Sequence, residues 1–171
     1  MFFKGGILPQ PSVVWSASVS GSHSVEEIFT NNGHNWLAKT NYTGRAFAIQ
    51  LSHCNIGIAG IRIKNTVNGE YRNRASRKFC VLGLQKGDSR WWEETLVEGE
   101  FEDPLAEGAS PPELETIYFQ EVAQVQLLKF DLVSYWGAFG GGLDYFAVIT
   151  VPGRSCITFT CISLYRSLRI E

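Results

Sequence analysis

The sequence is short of the residues that carry chemistry. In 171 positions it has three histidines, four cysteines and one methionine. His23, His34 and His53 stand apart, and no H-E-x-x-H, G-x-S-x-G or C-x-x-C motif occurs. No glycine-rich stretch is followed by the Lys-Ser/Thr of a phosphate loop. Long apolar runs are missing too: nothing approaches the ~20 residues that a membrane-spanning helix needs. The opening MFFKGGILPQPSVVW has no unbroken apolar stretch of signal-peptide length. The expectation is therefore a cytosolic chain or a piece of a longer secreted protein. A net charge of −2, from 15 basic and 17 acidic residues, provides no large basic field for a phosphate backbone, which argues against nucleic acid as a partner. Two carboxylate pairs, Glu93-Glu94 and Glu113/Glu115, are of the kind glycosidases use, but their turn-flanked or proline-rich settings offer nothing to raise one pKa. They read as solvated surface, and the chain is not expected to be an enzyme.

What is present is globular. Apolar residues make up 44% and charged residues 19%, a balance that sets the chain apart from disordered sequences. The length suits one domain burying roughly 70% of its unfolded surface. Cys54 and Cys80 lie in the body, Cys156 and Cys161 near the end. Four cysteines allow three pairings, and the C-x4-C spacing does not suit a zinc knuckle. Secretion would favour at least one disulfide, with Cys156 as a participant. The sequon Asn41-Tyr42-Thr43 would be a glycan acceptor in a secretory compartment.

Period-two alternation with β-branched and aromatic residues marks strands at 46–52, 58–65, 78–85, 116–120, 125–133 and 143–151. Turn-rich stretches separate them: NNGHN, NTVNGEYRN, QKGDS and the long GEFEDPLAEGASPPE. One short helix is expected at SVEEIF, where Ser24 and Glu27 have capping-box spacing. Many short strands argue an all-β sandwich or barrel. Ile49, Leu51, Ile61, Ile63, Phe79, Val81, Leu127, Phe130, Phe146 and Val148 are the expected inward rows, with Trp36 and Trp92 as core plugs. Residues 1–15 read as an N-terminal extension, 16–152 as the domain and 153–171 as a tail.

The order of landmarks resembles a known family. VEEIFTNNGHNWLAKT is similar to a short helix leading into an N-G-x-x-x-W turn, and AFAIQLSHCNIGIAGIRIKNT to the strand pair after it. NGEYRNRASRKFCVLG, DSRWWEETLVEGEF and LLKFDLVSYWGAFGGGLDYFAVI follow in the same order. Together they resemble a discoidin domain, the coagulation factor V/VIII type C domain, over roughly Ser16 to Val151. The resemblance implies a jelly-roll β-sandwich of the galactose-binding-like fold, with binding loops at one end. It also implies a non-catalytic module for carbohydrate or cell-surface glycoconjugate in adhesion or recognition, outside the cell as part of a longer secreted or surface protein. A protein-interaction domain, possible inside the cell, or an ancillary domain of an enzyme are the alternatives. Fold does not determine the ligand, so the loops must supply that evidence.

Four sequence features bear on those loops. Gly140, Gly141 and Gly142 stand beside Tyr135, Trp136 and Phe139. Either they display Trp136 and Phe139 to a sugar, or they let the two aromatics fold back as a cap. His34 and Asn35 lie in the first turn, and Asn68, Tyr71, Arg72 and Arg74 in the next long loop. An arginine fork grips vicinal hydroxyls, and family members often use a histidine with arginines in this way. For Arg74, and to a lesser degree Arg72, the resemblance equally allows a buried structural role. Calcium-binding relatives place carboxylates in the first turn, whereas this chain has Asn31, Asn32 and Asn35 there. Asn32 and Asp144 are the only metal candidates, and neutral amides would hold calcium weakly.

Overall fold

The computed structural model describes residues 6–7, 11–16, 23–38, 45–51, 56–86 and 91–151. Ten strands form within them: β1 (Gly6–Ile7), β2 (Ser12–Ser16), β3 (Trp36–Leu37), β4 (Ala46–Gln50), β5 (Ile56–Asn65), β6 (Lys78–Lys86), β7 (Trp91–Glu100), β8 (Leu114–Val125), β9 (Leu127–Leu132) and β10 (Gly142–Thr150). They make two five-stranded antiparallel sheets. One has the order β1-β10-β5-β8 with β3 added to β10; the other is β2-β4-β9-β6-β7. The sandwich therefore includes strands from the stretch set apart as an N-terminal extension: Ile7 pairs with Ile149, and Val13 with Ile49.

The core lies where the inner rows of the two sheets meet. Phe47 on β4 and Phe130 on β9 are cross-strand partners whose rings stack at 5.4 Å. From the facing sheet, Phe146 and Trp36 meet Phe47 edge-on at 5.3 and 5.2 Å. Such pairs add about 0.5–1.5 kcal/mol each beyond the area they bury. Ile63 and Phe130, on opposite sheets, are both fully buried. Trp36 is a core plug, as expected, while the Trp92 side chain lies outside what is described.

Two expectations are corrected. Leu127 is only half-buried, and Leu128, Phe130 and Leu132 point inward instead. Strand parity requires this, because 127 and 130 differ by an odd number and cannot share a face. The segment at Val25–Phe29 is a 3-10 helix without a side-chain cap from Ser24. Its first turn closes through the backbone, Glu27 N to the Ser24 carbonyl, and the Glu27 carboxylate accepts from Asn32 Nδ2 instead of reaching back to the cap. Cys80 is a free, half-buried thiol whose pKa burial raises. Cys54, Cys156, Cys161, His53, the Asn41 sequon and the boundary after Val151 all lie outside the described residues.

Strand register gathers the long connections at one end. Trp36 opposes Leu143, Asn65 opposes Leu143, Lys78 opposes Glu100, Lys64 opposes Leu114 and Phe79 opposes Leu132. The connections 30–35, 66–77, 101–113 and 133–141 thus emerge together.

Candidate ligand-binding site

The loop end is built on a buried polar clamp. Asn65, Ser76 and Thr66 are almost completely buried. Asn65 Nδ2 donates to the Ser76 carbonyl at 2.8 Å, and Asn65 Oδ1 accepts from the backbone N–H groups of Ser76 and Thr66, both at 2.9 Å. The Ser76 hydroxyl donates to the Gly142 carbonyl at 2.7 Å and accepts from the Gly142 N–H at 3.1 Å. A satisfied network of this kind gives a unique arrangement, since each buried group would otherwise lose its water partners uncompensated.

The glycines close the second half of the clamp. The chain after β9 runs against residues 73–76: Trp136 N donates to the Ala75 carbonyl, Ala75 N to the Gly140 carbonyl, and Phe139 N to the Asn73 carbonyl, at 2.8, 3.2 and 3.2 Å. A Cβ on Gly137 would lie 2.4 Å from Arg74 Cα, and one on Gly142 would lie 2.1 Å from the Trp36 carbonyl oxygen. Backbone approaching backbone is what these glycines permit; Gly140 also takes a φ of +115°.

This packing separates the two aromatics. Trp136 is half-buried, its Nε1–H donates to the Phe101 carbonyl at 3.1 Å, and the Arg77 guanidinium lies 4.2 Å from its ring centroid. Trp136 is thus a tie between loops, with one ring face already covered by a cation. Phe139, three residues on, is 57% exposed. Tyr71, in the loop that Phe139 bonds to, is 80% exposed. Tyr71 lies in a short 3-10 turn (Gly69–Tyr71) bracketed by two non-glycine residues in the left-handed region, Asn68 (φ 63°) and Arg72 (φ 43°). Strained backbone of this kind persists only where its surroundings over-determine it. Asn68 is held at both ends, its backbone N–H donating to the Thr66 hydroxyl at 3.0 Å and its amide to Asn73 Oδ1 at 2.7 Å.

The remaining polar candidates divide in the same way. Arg72 donates one guanidinium nitrogen to the Pro104 carbonyl, tying the 66–77 loop to the β7–β8 connection. Arg74 donates to the Ala38 carbonyl at 2.9 Å, and burial lowers its pKa. Asn35 turns its amide inward: Nδ2 donates to the Thr66 hydroxyl at 3.3 Å, and Oδ1 is buried with no hydrogen-bond partner among the described residues. His34 is exposed, its backbone N–H donating to Asn32 Oδ1. That bond and the one to Glu27 occupy the Asn32 side chain. Asp144 is half-buried; burial raises its pKa against the opposing effects of a Thr66 hydrogen bond and the Lys64 charge. Asn32 and Asp144 are engaged separately, and no group of three His, Cys, Asp or Glu converges on a metal position among the described residues. Among the described residues, the neutral amide of Asn32 and the single carboxylate of Asp144 are a poor match for the several charged oxygens that calcium prefers.

The β7–β8 connection, a long turn by its sequence, adds a feature of its own. A cleft of about 540 Å³ lies between it and the sheet end, bordered by Asn65, Phe101, Asp103, Pro104, Pro112 and Glu115. Burial raises the pKa of Glu115, and the nearby charge of Glu102 raises it further.

Solved structures share this architecture. A family 32 carbohydrate-binding module from NanJ of C. perfringens, in complex with galactose, superposes with a TM-score of 0.61 at 16% identity, over 85% of this chain and 98% of that one. An F5/8 type C domain from Bacteroides fragilis gives 0.59 at 9% identity, over 83% and 97%. The fold is that of the discoidin domain. XRCC1, solved bound to the DNA polymerase beta catalytic domain, gives 0.61 at 17% identity, over 84% and 98%. At these identities the likeness is one of fold. No family model matches the chain, and no curated protein matches it in sequence. The discoidin sandwich brings six of the candidate residues to one loop end through these contacts: Asn35, Asn68, Arg72, Arg74, Trp136 and Phe139. Tyr71 stands exposed beside them, and His34 lies in the adjoining turn.

Proposed function

We propose that this discoidin-fold chain is a non-catalytic module that binds carbohydrate, or a sugar-bearing glycoprotein, at the loop end. The observation that carries the reading is the exposure of Tyr71 and Phe139 on loops locked together by main-chain bonds. Aromatic faces offer apolar area to the C–H face of a pyranose, and a platform already ordered loses little entropy on binding. Arg72 retains guanidinium donors beyond the one given to Pro104, and the exposed His34 side chain is available for hydroxyls. Arg74, Asn35 and Trp136 support the loops in this reading and leave the ligand to the others. The neighbour solved with galactose and a chitosan-binding module from Paenibacillus with a TM-score of 0.62 are in keeping with a sugar ligand. The module would act in adhesion or recognition, outside the cell, as a piece of a longer secreted or surface protein.

A glycan array at millimolar calcium, with and without chelator, tests the proposal. The expected result is a restricted set of bound glycans, unchanged by chelator, with affinities of about millimolar to micromolar, or roughly −4 to −8 kcal/mol. Phe139→Ala should lose that binding. An array on which no glycan binds, or on which Phe139→Ala binds as well as the parent, contradicts the reading.

A further inference from the structure

Charge is segregated along this chain. From Trp91 to Leu128 there is no lysine, arginine or histidine, yet the stretch holds nine glutamates and one aspartate. Ten of the 17 acidic residues thus fall in one segment, and the other seven share the rest of the chain with all 15 basic ones. The fold places that segment on β7, the connection after it and β8, each strand at one edge of its sheet. The two strands border the same flank, where Leu96 of β7 and Val125 of β8 meet over Gly83. Among the described residues, the ion pairs of this flank are those of Glu100 with Arg77 and Lys78.

Among the described residues the flank has an open strand edge. β8 pairs with β5 on one side, and no described strand pairs with its other side. Leu114–Tyr118 runs in unbroken register against Lys64–Gly60, and an irregularity interrupts the pairing beyond Tyr118. The outer row of this straight segment is exposed, with Leu114 at 42% and Tyr118 at 69% on either side of Thr116. Glu115, one position over and so on the opposite face, lines the 540 Å³ cleft together with Glu100, Glu102 and Glu113. An edge strand of this kind is a template for another strand; its outer row adjoins Lys64 and Arg62 of β5, so it is the carboxylates of the cleft face that favour a cationic side chain.

We propose that the Leu114–Tyr118 edge docks an extended basic segment of a partner protein, which adds to the sheet as a further strand and places a lysine or arginine in the cleft beside Glu115. Main-chain hydrogen bonds to the edge supply affinity, and alternate side chains supply specificity. A residue opposite Glu115 on the same face has its Cβ about 4.5–5.5 Å away, which puts a long cationic side chain among the cleft carboxylates. The cation also relieves the mutual repulsion of Glu115 and Glu102. A second copy of the chain is a poor occupant, since it would bring two flanks of the same sign together.

The test is fluorescence anisotropy with a labelled ten-residue peptide of alternating lysine and threonine. It is compared with a glutamate-threonine peptide and with the lysine peptide N-methylated at alternate residues, which retains charge but loses main-chain donors. The lysine peptide should bind and weaken as salt rises, while the glutamate peptide should not bind. N-methylation, Glu115→Gln and Glu102→Lys should each weaken binding by about tenfold or more. Glu115→Gln preserves the side-chain shape, so its melting temperature should remain at or above that of the parent. Amide exchange should slow within Leu114–Tyr118 when the peptide is added. Phe139→Ala should bind the peptide normally, which separates this surface from the sugar site. No binding of the lysine peptide overturns the proposal, as do equal binding after N-methylation and exchange protection confined to another strand. Binding of a chitosan oligosaccharide at this flank in place of the peptide would also overturn it.

Discussion

Two connections at the loop end use glycine for different reasons. In the chain from Val133 to Gly142, glycine makes room: a Cβ at Gly137 or Gly142 would strike the backbone of Arg74 or Trp36. In the β7–β8 connection, Gly108 takes a φ of +75° and has nothing within 4 Å of where its Cβ would be. The first connection is interlocked with residues 73–76 by main-chain bonds. The second relies on local turns, such as Leu105 N–H to Asp103 Oδ1, and on single ties from Arg72 and Trp136. Close packing makes the first a platform that can hold an aromatic ring still. The second, open and acidic, is a rim where charge rather than shape discriminates.

Substitutions should separate the two. Gly142→Ala is expected to be the most damaging, at about 3 kcal/mol or more, because the clash is with a backbone carbonyl that has no room to yield; urea unfolding would measure it. Ser76→Ala should cost about 1–3 kcal/mol, since it strands the buried N–H and carbonyl of Gly142. Gly108→Ala meets no atom and should cost only about 1–2 kcal/mol, from the left-handed backbone alone. A loss at Gly108 as large as that at Gly142 would erase the distinction. The smallest effect concerns pH. The Asp144 carboxyl has a pKa raised by burial, so the folded state holds its proton to higher pH than the unfolded state does. Stability should therefore fall as pH rises from the ordinary aspartate range through that raised value. Glu115 acts in the same direction. Asp144→Asn should flatten the slope of melting temperature against pH over that window.

Much of the sandwich was legible because β5 and β6 alternate, with Ile61, Ile63 and Phe79 buried beside Arg62, Lys64 and Lys78, while the apolar runs Ala46–Ile49 and Phe146–Ile149 are buried throughout. In β9 the run Leu127-Leu128 offered two parities, and the burial of Phe130 selects the one that turns Leu128 and Leu132 inward with it. β8 was under-read because an edge strand carries apolar side chains on its outer row too, which blurs the alternation. The site was harder to read than the fold. Its residue types and loops were visible, but the role of each depended on partners remote in sequence. Trp136 finds its acceptor 35 residues away at Phe101, Arg72 finds Pro104 at 32, and Arg74 finds Ala38 at 36. Local sequence carries no signal for such pairings.

Trp136 and Phe139 hold this contrast within one loop: three residues apart, one ties the loops together and the other faces solvent. Paired thermal melts and glycan-binding titrations of Trp136→Ala and Phe139→Ala would separate their roles. Trp136→Ala should lower stability by about 2 kcal/mol or more, through lost packing and an unmade hydrogen bond to Phe101. Phe139→Ala should stay within about 0.5 kcal/mol of the parent while losing glycan binding. The opposite pattern, a stable Trp136→Ala that no longer binds and a Phe139→Ala that unfolds early but binds when folded, would contradict the division of the loop into tie and platform.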